Sequence, residues 1–415
     1  MKLKILQINK FHYLRGGSER YYFAVSDLLE KHGHDVVHFS MKGEKDKFSD
    51  YDKYFIDYID LNKFNIKSII KFFYNYDAVR RLKKLIKKEK PDIAHLHNIA
   101  HQLTPAIIRV LKKNDIKVVQ TLHDYKLICP NTKLYNKKGN CKKCLGGKYY
   151  NCFLNSCMHD SRAKSFLGMI EAYLNNKFLK YYDDVDLFIA PSQFMKNVSV
   201  QFGVPEKKIK VVYNFLSDEW LKSIEGIDDM ISPKNDNYIL YFGRLSEEKG
   251  INTVVNAIKE SGEGNIKFFI VGAGPDEKKI RNKINDLDLV NHVSLPGFKS
   301  GQELNSLIMG ASAIVMPSLW PENMPYSLLE SLAMSKIIIA SNVGGMPELI
   351  KNNESGYLYK SGDTRELAKI IAKVSSNSQD TLKNMSKRAK GRADTLDSST
   401  HYNNISDIYK KILNA

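Results

Sequence analysis

Short runs of apolar, β-branched residues recur along the chain, each followed by a longer amphipathic stretch. The first, LKILQIN (residues 3–9), passes through the glycine turn RGGSE into YYFAVSDLLEKHG, whose Val25, Leu28 and Leu29 turn inward before Gly33. VVHF (36–39), DIAHLH (92–97), KVVQTLH (117–123), LFIAPS (187–192) and KVVYNF (210–215) continue the series. Strands this short and this apolar, with helices between them, predict a parallel sheet covered on both faces. The pattern lapses into polar sequence over residues 217–236, then resumes with YILYFG (238–243), NTVVNAI, KFFIVG (267–272), HVSLPG (292–297), AIVMPS (313–318), KIIIAS (336–341) and GYLYK (356–360). Two α/β halves are expected, 1–216 and 217–397. A last helix over 398–415 is as able to return to the first half as to end the second. Ligand chemistry is expected at the C-terminal ends of the strands and between the halves.

Composition leaves this picture intact. At 415 residues, 43% hydrophobic and 26% charged, the chain is long enough for two sizeable cores. No run approaches the 18 apolar residues of a membrane span, and MKLKILQINKF lacks the long apolar stretch of a secretory signal. A cytoplasmic location is therefore expected. Charge adds something: the formal net charge of +17 favours an anionic partner. Residues 61–90 hold ten Lys or Arg against two acids, with Ile69, Ile70, Phe72, Phe73, Tyr76, Val79, Leu82 and Ile86 interleaved at roughly helical spacing. That is the pattern of a helix lying on an anionic membrane surface, or of a surface helix with its stripe in the core and its lysines in water. No recognisable nucleic-acid motif accompanies the charge, so a nucleic-acid partner is not expected.

Four loops that follow strands carry candidate chemistry. Gly16 and Gly17 allow close backbone approach and leave helix N–H groups for an anion, although their spacing is not GxGxxG. In YFGRLSEEKG, Arg244 directly follows Gly243 and Lys249 lies five residues on, a pair suited to a diphosphate. In PSLWPENMPYSLLE, a helix is expected to begin near Asn323 with Pro325 in its first turn, Glu322 just outside and Glu330 about two turns in. Were both glutamates in one helix, their eight-residue offset would set them about 80° apart. SNVGGMPELI repeats the design with Gly344, Gly345, Pro347 and then Glu348 opening a helix. His95, His97, His101 and His123 gather near strand ends, but their spacings match no zinc motif.

Taken together, these loops resemble those of the retaining glycosyltransferases of family 4, along nearly the whole chain. Glu322 through Glu330 is similar to the family's E-x7-E signature, Arg244 and Lys249 to its Arg/Lys pair, Gly16 and Gly17 to its first glycine loop. Gly344, Gly345 and Glu348 match its GGxxE loop, and His123 its first-domain histidine. The resemblance implies a GT-B fold, two Rossmann-like α/β domains facing across a cleft, and transfer of a hexose-type sugar from a UDP- or GDP-linked donor. It implies that Arg244 and Lys249 hold the donor diphosphate, Glu322 contacts sugar hydroxyls and is no nucleophile, and Glu330 binds the ribose. His123 would touch the sugar, and Gly17 would let backbone approach the phosphate. Gly243, Met324, Pro325, Tyr326 and the GGxxE loop would complete the donor site, with no catalytic metal. The acceptor implied is a lipid-linked, polyprenyl-diphosphate glycan of cell-surface polysaccharide synthesis, met by a peripheral enzyme on the inner membrane face. A non-catalytic nucleotide-sugar-binding relative, or another GT-B reaction such as epimerisation, is the alternative. Two departures touch donor choice: Pro325-Tyr326 within the signature, where the family often has glycine after an aromatic, and Ser335-Lys336-Ile337 in place of a later glycine turn.

All five cysteines fall between residues 129 and 157. Cys141 and Cys144 form a CxxC knuckle, followed by Cys152 and Cys157 and preceded by Cys129, which is a potential substitute ligand. Four thiolates would close a structural zinc site; free or redox-labile thiols and disulfides are the other readings. Directly after His123, the insert is expected to shape acceptor access and to carry no chemistry.

Overall fold

The computed structural model describes residues 2–60, 66–226, 238–262 and 266–414. The chain divides into two units, Met1–Asn214 with Ser399–Ala415, and Phe215–Ser398. The polar stretch after residue 217 opens with a helix, Asp218–Ser223, capped by Ser217; its residues 227–237 lie outside the described residues.

Among the described residues the first unit is built on a six-stranded parallel sheet. Its strands are β1 (Lys4–Phe11), β2 (Asp35–Met41), β3 (Ile93–Leu96), β4 (Lys117–Thr121), β5 (Leu187–Ala190) and β6 (Ile209–Val211), in spatial order β2-β1-β3-β4-β5-β6. Every residue of β3 and β5 is buried, as expected of strands covered on both faces. The helix Ser398–Leu413 belongs to this unit: Tyr21 Oη lies 3.1 Å from His401 Nε2, and Tyr409 Oη 2.7 Å from His95 Nδ1.

The basic run forms two helices, Ile66–Phe73 and Tyr76–Glu89, because Asn75 breaks it and caps the second by accepting from Ala78 N–H at 3.1 Å. In that second helix Val79, Leu82 and Ile86 are buried, so its stripe serves the core and its lysines face water. In the first, Ile70 is exposed and Phe72 stacks on His101 with ring centroids 4.6 Å apart. The first residues of the run, 61–65, lie outside the described residues. No helix among the described residues is long and apolar enough to cross a membrane.

The second unit repeats the plan with β7 (Tyr238–Phe242), β8 (Lys267–Val271), β9 (Val293–Gly297), β10 (Ala313–Met316), β11 (Ile337–Ser341) and β12 (Gly356–Tyr359), ordered β9-β8-β7-β10-β11-β12. NTVVNAI is helical, within Ile251–Ser261, where Val254, Val255 and Ile258 enter the core. The order reverses between β7 and β10, so the loops leaving those two strands diverge and open a crevice at their carboxyl ends.

Candidate functional site

Both loops at that crevice carry residues singled out in the sequence. After β7 the chain turns at Gly243, exposes Arg244, and forms the short helical turn Glu247–Lys249. Gly250 then takes φ 71°, and a Cβ there would meet the Pro317 carbonyl oxygen at 2.0 Å, so only glycine lets the two loops touch. Leu319 N–H donates to Glu248 O at 2.8 Å and ties them together.

After β10 the chain leaves regular structure, bends at Leu319 and Trp320, and reaches Glu322, and the helix Tyr326–Ala333 begins later than expected. Pro325, with φ −71° and ψ 137°, is its N-cap; Asn323 is not, and Glu330 lies little more than one turn in. Glu322 is buried at 6% exposure and accepts twice on Oε1, from Lys249 Nζ at 2.5 Å and Ser318 Oγ at 2.7 Å. Lys249 Nζ also lies 5.7 Å from the centroid of the Trp320 ring. Met324, Tyr326 and Glu330 are buried beside this loop.

The loop after β11 supports Glu322 from behind. Gly345 N–H donates to the Glu322 carbonyl at 2.7 Å, and Gly344 has φ 71°. A Cβ on Gly344 would lie 2.1 Å from that carbonyl oxygen. Glu348 ends a three-residue 3-10 turn, Met346–Glu348, and opens no longer helix. Ser318 is a residue the sequence reading missed; its carbonyl also accepts from Ser341 Oγ at 2.6 Å and Ser361 Oγ at 3.1 Å. Its position at a strand end four residues before Glu322 was the available signal.

In the first unit, Gly16 is the N-cap of the helix Gly17–Lys31 in an extended conformation, so neither glycine is required for left-handed backbone. His123 follows β4 and is half-buried. Its Nε2 lies 3.0 Å from His97 Nδ1, and His97 Nε2 lies 2.7 Å from Gln7 Oε1. With the Gln7 oxygen as acceptor, His97 donates from Nε2, accepts at Nδ1, and so fixes His123 as the Nε2–H tautomer. Burial lowers His123 to about 3 and His97 well below the usual range, so both rings are neutral at pH 7. His97, His123, Lys10, Asp124 and Lys126 line a cavity of about 20 Å³, room for a water. Burial pushes Lys10 down and Asp124 up, and each opposes the other's shift. Lys126 Nζ bonds Glu171 Oε2 at 2.5 Å. The histidines thus bond one another and the fold, and among the described residues no group of three or more His, Cys, Asp or Glu is arranged to hold a metal ion. Cys129, Cys141, Cys144, Cys152 and Cys157 are all free and line one small cavity.

Two parallel-sheet α/β units, with Lys249 and Glu322 paired at the switch point of the second, define a protein of the GT-B class. Two family profiles match it: "Glycosyltransferase Family 4" over residues 15–220 and "Glycosyl transferases group 1" over residues 226–392. The chain belongs to glycosyltransferase family 4. Among curated relatives it is 30% identical over 205 residues to the amylovoran biosynthesis glycosyltransferase AmsK of Erwinia amylovora, 48% of this chain and 49% of that protein. It is 29% identical over 223 residues to the putative colanic acid biosynthesis glycosyltransferase WcaL of Escherichia coli K12, 50% of this chain and 52% of that one. The match thus spans about half the length of these relatives. Among solved structures, a glycosyltransferase of Rickettsia africae superposes with a TM-score of 0.70 at 21% identity, covering 99% of both chains. Anabaena Alr3699/HepE, in complex with UDP and glucose, superposes with a TM-score of 0.68 at 19% identity, covering 99% of this chain and 100% of that one.

Proposed function

We propose that the protein is a retaining glycosyltransferase of cell-surface polysaccharide synthesis, moving a hexose-type sugar from a nucleotide donor to a lipid-linked glycan. The observation that carries this reading is the buried Glu322 carboxylate held by Lys249 and Ser318 at the switch point of the second unit. A carboxylate and a cation fixed side by side suit a ligand that has hydroxyls at one end and a diphosphate at the other. In this reading Glu322 Oε2, which takes neither bond, accepts from a sugar hydroxyl. Lys249 and the exposed Arg244 stabilise the negative charge that grows on the leaving diphosphate. The Gly344–Gly345 loop supplies backbone to the phosphates, and Glu330 reaches the ribose. His123, neutral and hydrogen-bonded to His97, belongs to the first unit, which in this reading binds the acceptor. Retention follows from front-face attack, with a leaving phosphate oxygen taking the acceptor proton and no covalent sugar–enzyme bond. The names of the amylovoran and colanic acid relatives support the polysaccharide, and the UDP and glucose bound by the Anabaena protein support the donor class. The lysine-faced helix Tyr76–Glu89 and the exposed Ile70 support contact with an anionic membrane surface, where a lipid-linked acceptor resides.

Thermal shifts over UDP-, GDP- and ADP-sugars test the donor, because a ligand that binds the native state raises apparent stability. The expected result is binding of one nucleotide class and release of its diphosphate only when lipid-linked acceptor is added. Glu322→Gln is expected to lower kcat about 10²–10³-fold, in the range of a lost transition-state contact, while the protein remains folded with a lower melting temperature, because the buried pair with Lys249 is lost. Wild-type kcat in a folded Glu322→Gln protein removes Glu322 from the mechanism.

A further inference from the structure

The basic run at 61–90 has a counterpart further along the chain. Residues 131–180 also hold ten Lys or Arg against two acids. Both acids are already engaged, Glu171 buried with Lys126 and Asp160 paired with Lys137 at 3.3 Å. Lys142, Lys143 and Lys177 are exposed and bond neutral oxygens, of Gln201, Asn155 and Gly146, so these contacts leave their charge uncompensated. Lys148 and Lys180 are exposed as well. The outer side of this segment is therefore strongly positive.

The same side is apolar. The segment folds as a 3-10 turn, Leu145–Gly147, a short helix, Tyr150–Leu154, and a longer one, Arg162–Tyr173, that runs on through the π-turn Leu174–Phe178. Cys144, Tyr149, Cys152 and Ala172 fill its small core. Leu145, Tyr150, Leu154, Phe166, Phe178 and Leu179 remain outside it, Leu154 at 64% and Phe178 at 75% exposure. Contacts join these positions into one surface. Phe153 meets Phe166 edge to face with ring centroids 5.7 Å apart, which brings the helix of Leu154 onto that of Phe166. Lys177 Nζ bonds Gly146 O at 3.5 Å and ties the turn of Leu145 to that of Phe178. Arg109 Nη2 donates to Leu179 O at 2.6 Å. Arg109 belongs to the helix Ala106–Lys112, which packs against the basic helix Tyr76–Glu89. The patch thus continues toward the basic run through one intervening helix. Exposed apolar side chains gathered in this way mark a contact surface.

We propose that the outer face of residues 142–180 docks on an anionic lipid bilayer. Leu154, Phe166 and Phe178 enter the headgroup region, and Lys142, Lys143, Lys148 and Lys177 pair with anionic headgroups. Two arguments favour lipid over protein. Lysine is depleted from protein–protein interfaces, whereas lysines interleaved with Leu and Phe, without acids, suit an interfacial surface. A second copy of this chain would bring the same positive face against itself, and like charges oppose that contact. The inference rests on the membrane contact proposed above and names a second place where it is made, on the segment that leaves β4 through His123.

The test is co-sedimentation of the whole chain with vesicles of phosphatidylcholine, alone or mixed with phosphatidylglycerol. The expected result is sedimentation with the anionic vesicles, weakened by salt. Leu154→Ser combined with Phe178→Ser lowers the partition coefficient at least about tenfold. Lys142→Gln combined with Lys143→Gln lowers it about 30-fold. Melting temperatures stay at the wild-type value, because all four side chains are exposed. Wild-type binding by the double serine variant overturns the proposal, and loss of binding in Ile70→Ser then leaves the contact on the basic run. Wild-type protein that sediments with neither vesicle overturns this inference and the membrane contact together, while the donor thermal shifts still judge the transferase reading separately. A lipid-free dimer that the serine variant abolishes assigns the patch to a second copy and also overturns the proposal. If the serine variants do not fold, Phe178→Trp decides: its emission moves to shorter wavelength with anionic vesicles, and an unmoved spectrum ends the assignment.

Discussion

Glu322 is held at both ends of its residue, by Lys249 and Ser318 at the carboxylate and by Gly345 N–H at the carbonyl. Its neighbour Gly344 is where that hold is most easily broken. Gly344→Ala places a side chain on left-handed backbone, worth roughly 1–2 kcal/mol, and drives Cβ into the Glu322 carbonyl, so the loop must move. Denaturant unfolding should show a loss of at least that size, together with loss of donor binding; an alanine variant as stable as wild type would contradict the geometry. Lys249 and Glu322 were legible from sequence because each stands at a fixed offset from a strand end. Ser318 offered only its place four residues before Glu322, and the His97–Gln7 pair behind His123 was not legible, because its members lie on and just past neighbouring strands that only the folded sheet brings together.

Helix ends were the least legible elements. Proline suits the first turn of a helix, but it suits the extended residue before the helix equally well, and Pro325 takes the second role. That choice keeps Glu322 and Met324 outside the helix, with the Glu322 carbonyl bonded to the β11 loop. The far end of the same helix is easier to read in hindsight. Lys336 N–H donates to Ser331 O at 2.9 Å, closing the helix through Ser335 at φ 57°. This is where the family's glycine turn is missing. Ser335→Gly is expected to stabilise the second unit by about 1 kcal/mol, the cost of the left-handed conformation being removed; a lower denaturation midpoint would count against this reading. NTVVNAI and the basic run teach a related lesson. β-branched residues form a helix when their spacing buries one face, as Val254, Val255 and Ile258 do. One polar residue, Asn75, is enough to divide a periodic run in two.

At the scale of the molecule the two units differ in their response to acid. Buried or half-buried neutral histidines concentrate in the first unit: desolvation lowers His12 to about 4 and His38, His95, His123 and His401 to about 3. These depressed values make the histidines neutral throughout the native state near neutrality. Below pH 6.5 the unfolded chain takes up protons that the folded unit refuses, so stability is full above that value. It falls as pH drops, by about 1.4 kcal/mol per pH unit for each such histidine. The second unit has only His292, which is half-buried, and it holds both tryptophans, Trp220 and Trp320. Between pH 6.5 and 5, far-ultraviolet circular dichroism should therefore report loss of helix and sheet before tryptophan emission changes. Simultaneous transitions would refute an acid-labile first unit. The two parallel sheets themselves were legible as apolar runs, but the partners of His95 and Tyr21 were not, being supplied from more than three hundred residues away.

That distance has a consequence during synthesis. The first unit emerges from the ribosome lacking the helix Ser398–Leu413, so His95 and Tyr21 meet water or one another's neighbours in place of Tyr409 and His401. It must wait while the whole of Phe215–Ser398 is made, about 10–40 s at ordinary elongation rates. The unit translated second can finish folding before the unit translated first. A stop codon in the last few dozen positions therefore strikes the opposite end of the gene product, leaving the N-terminal unit unfinished and open to chaperones and proteases.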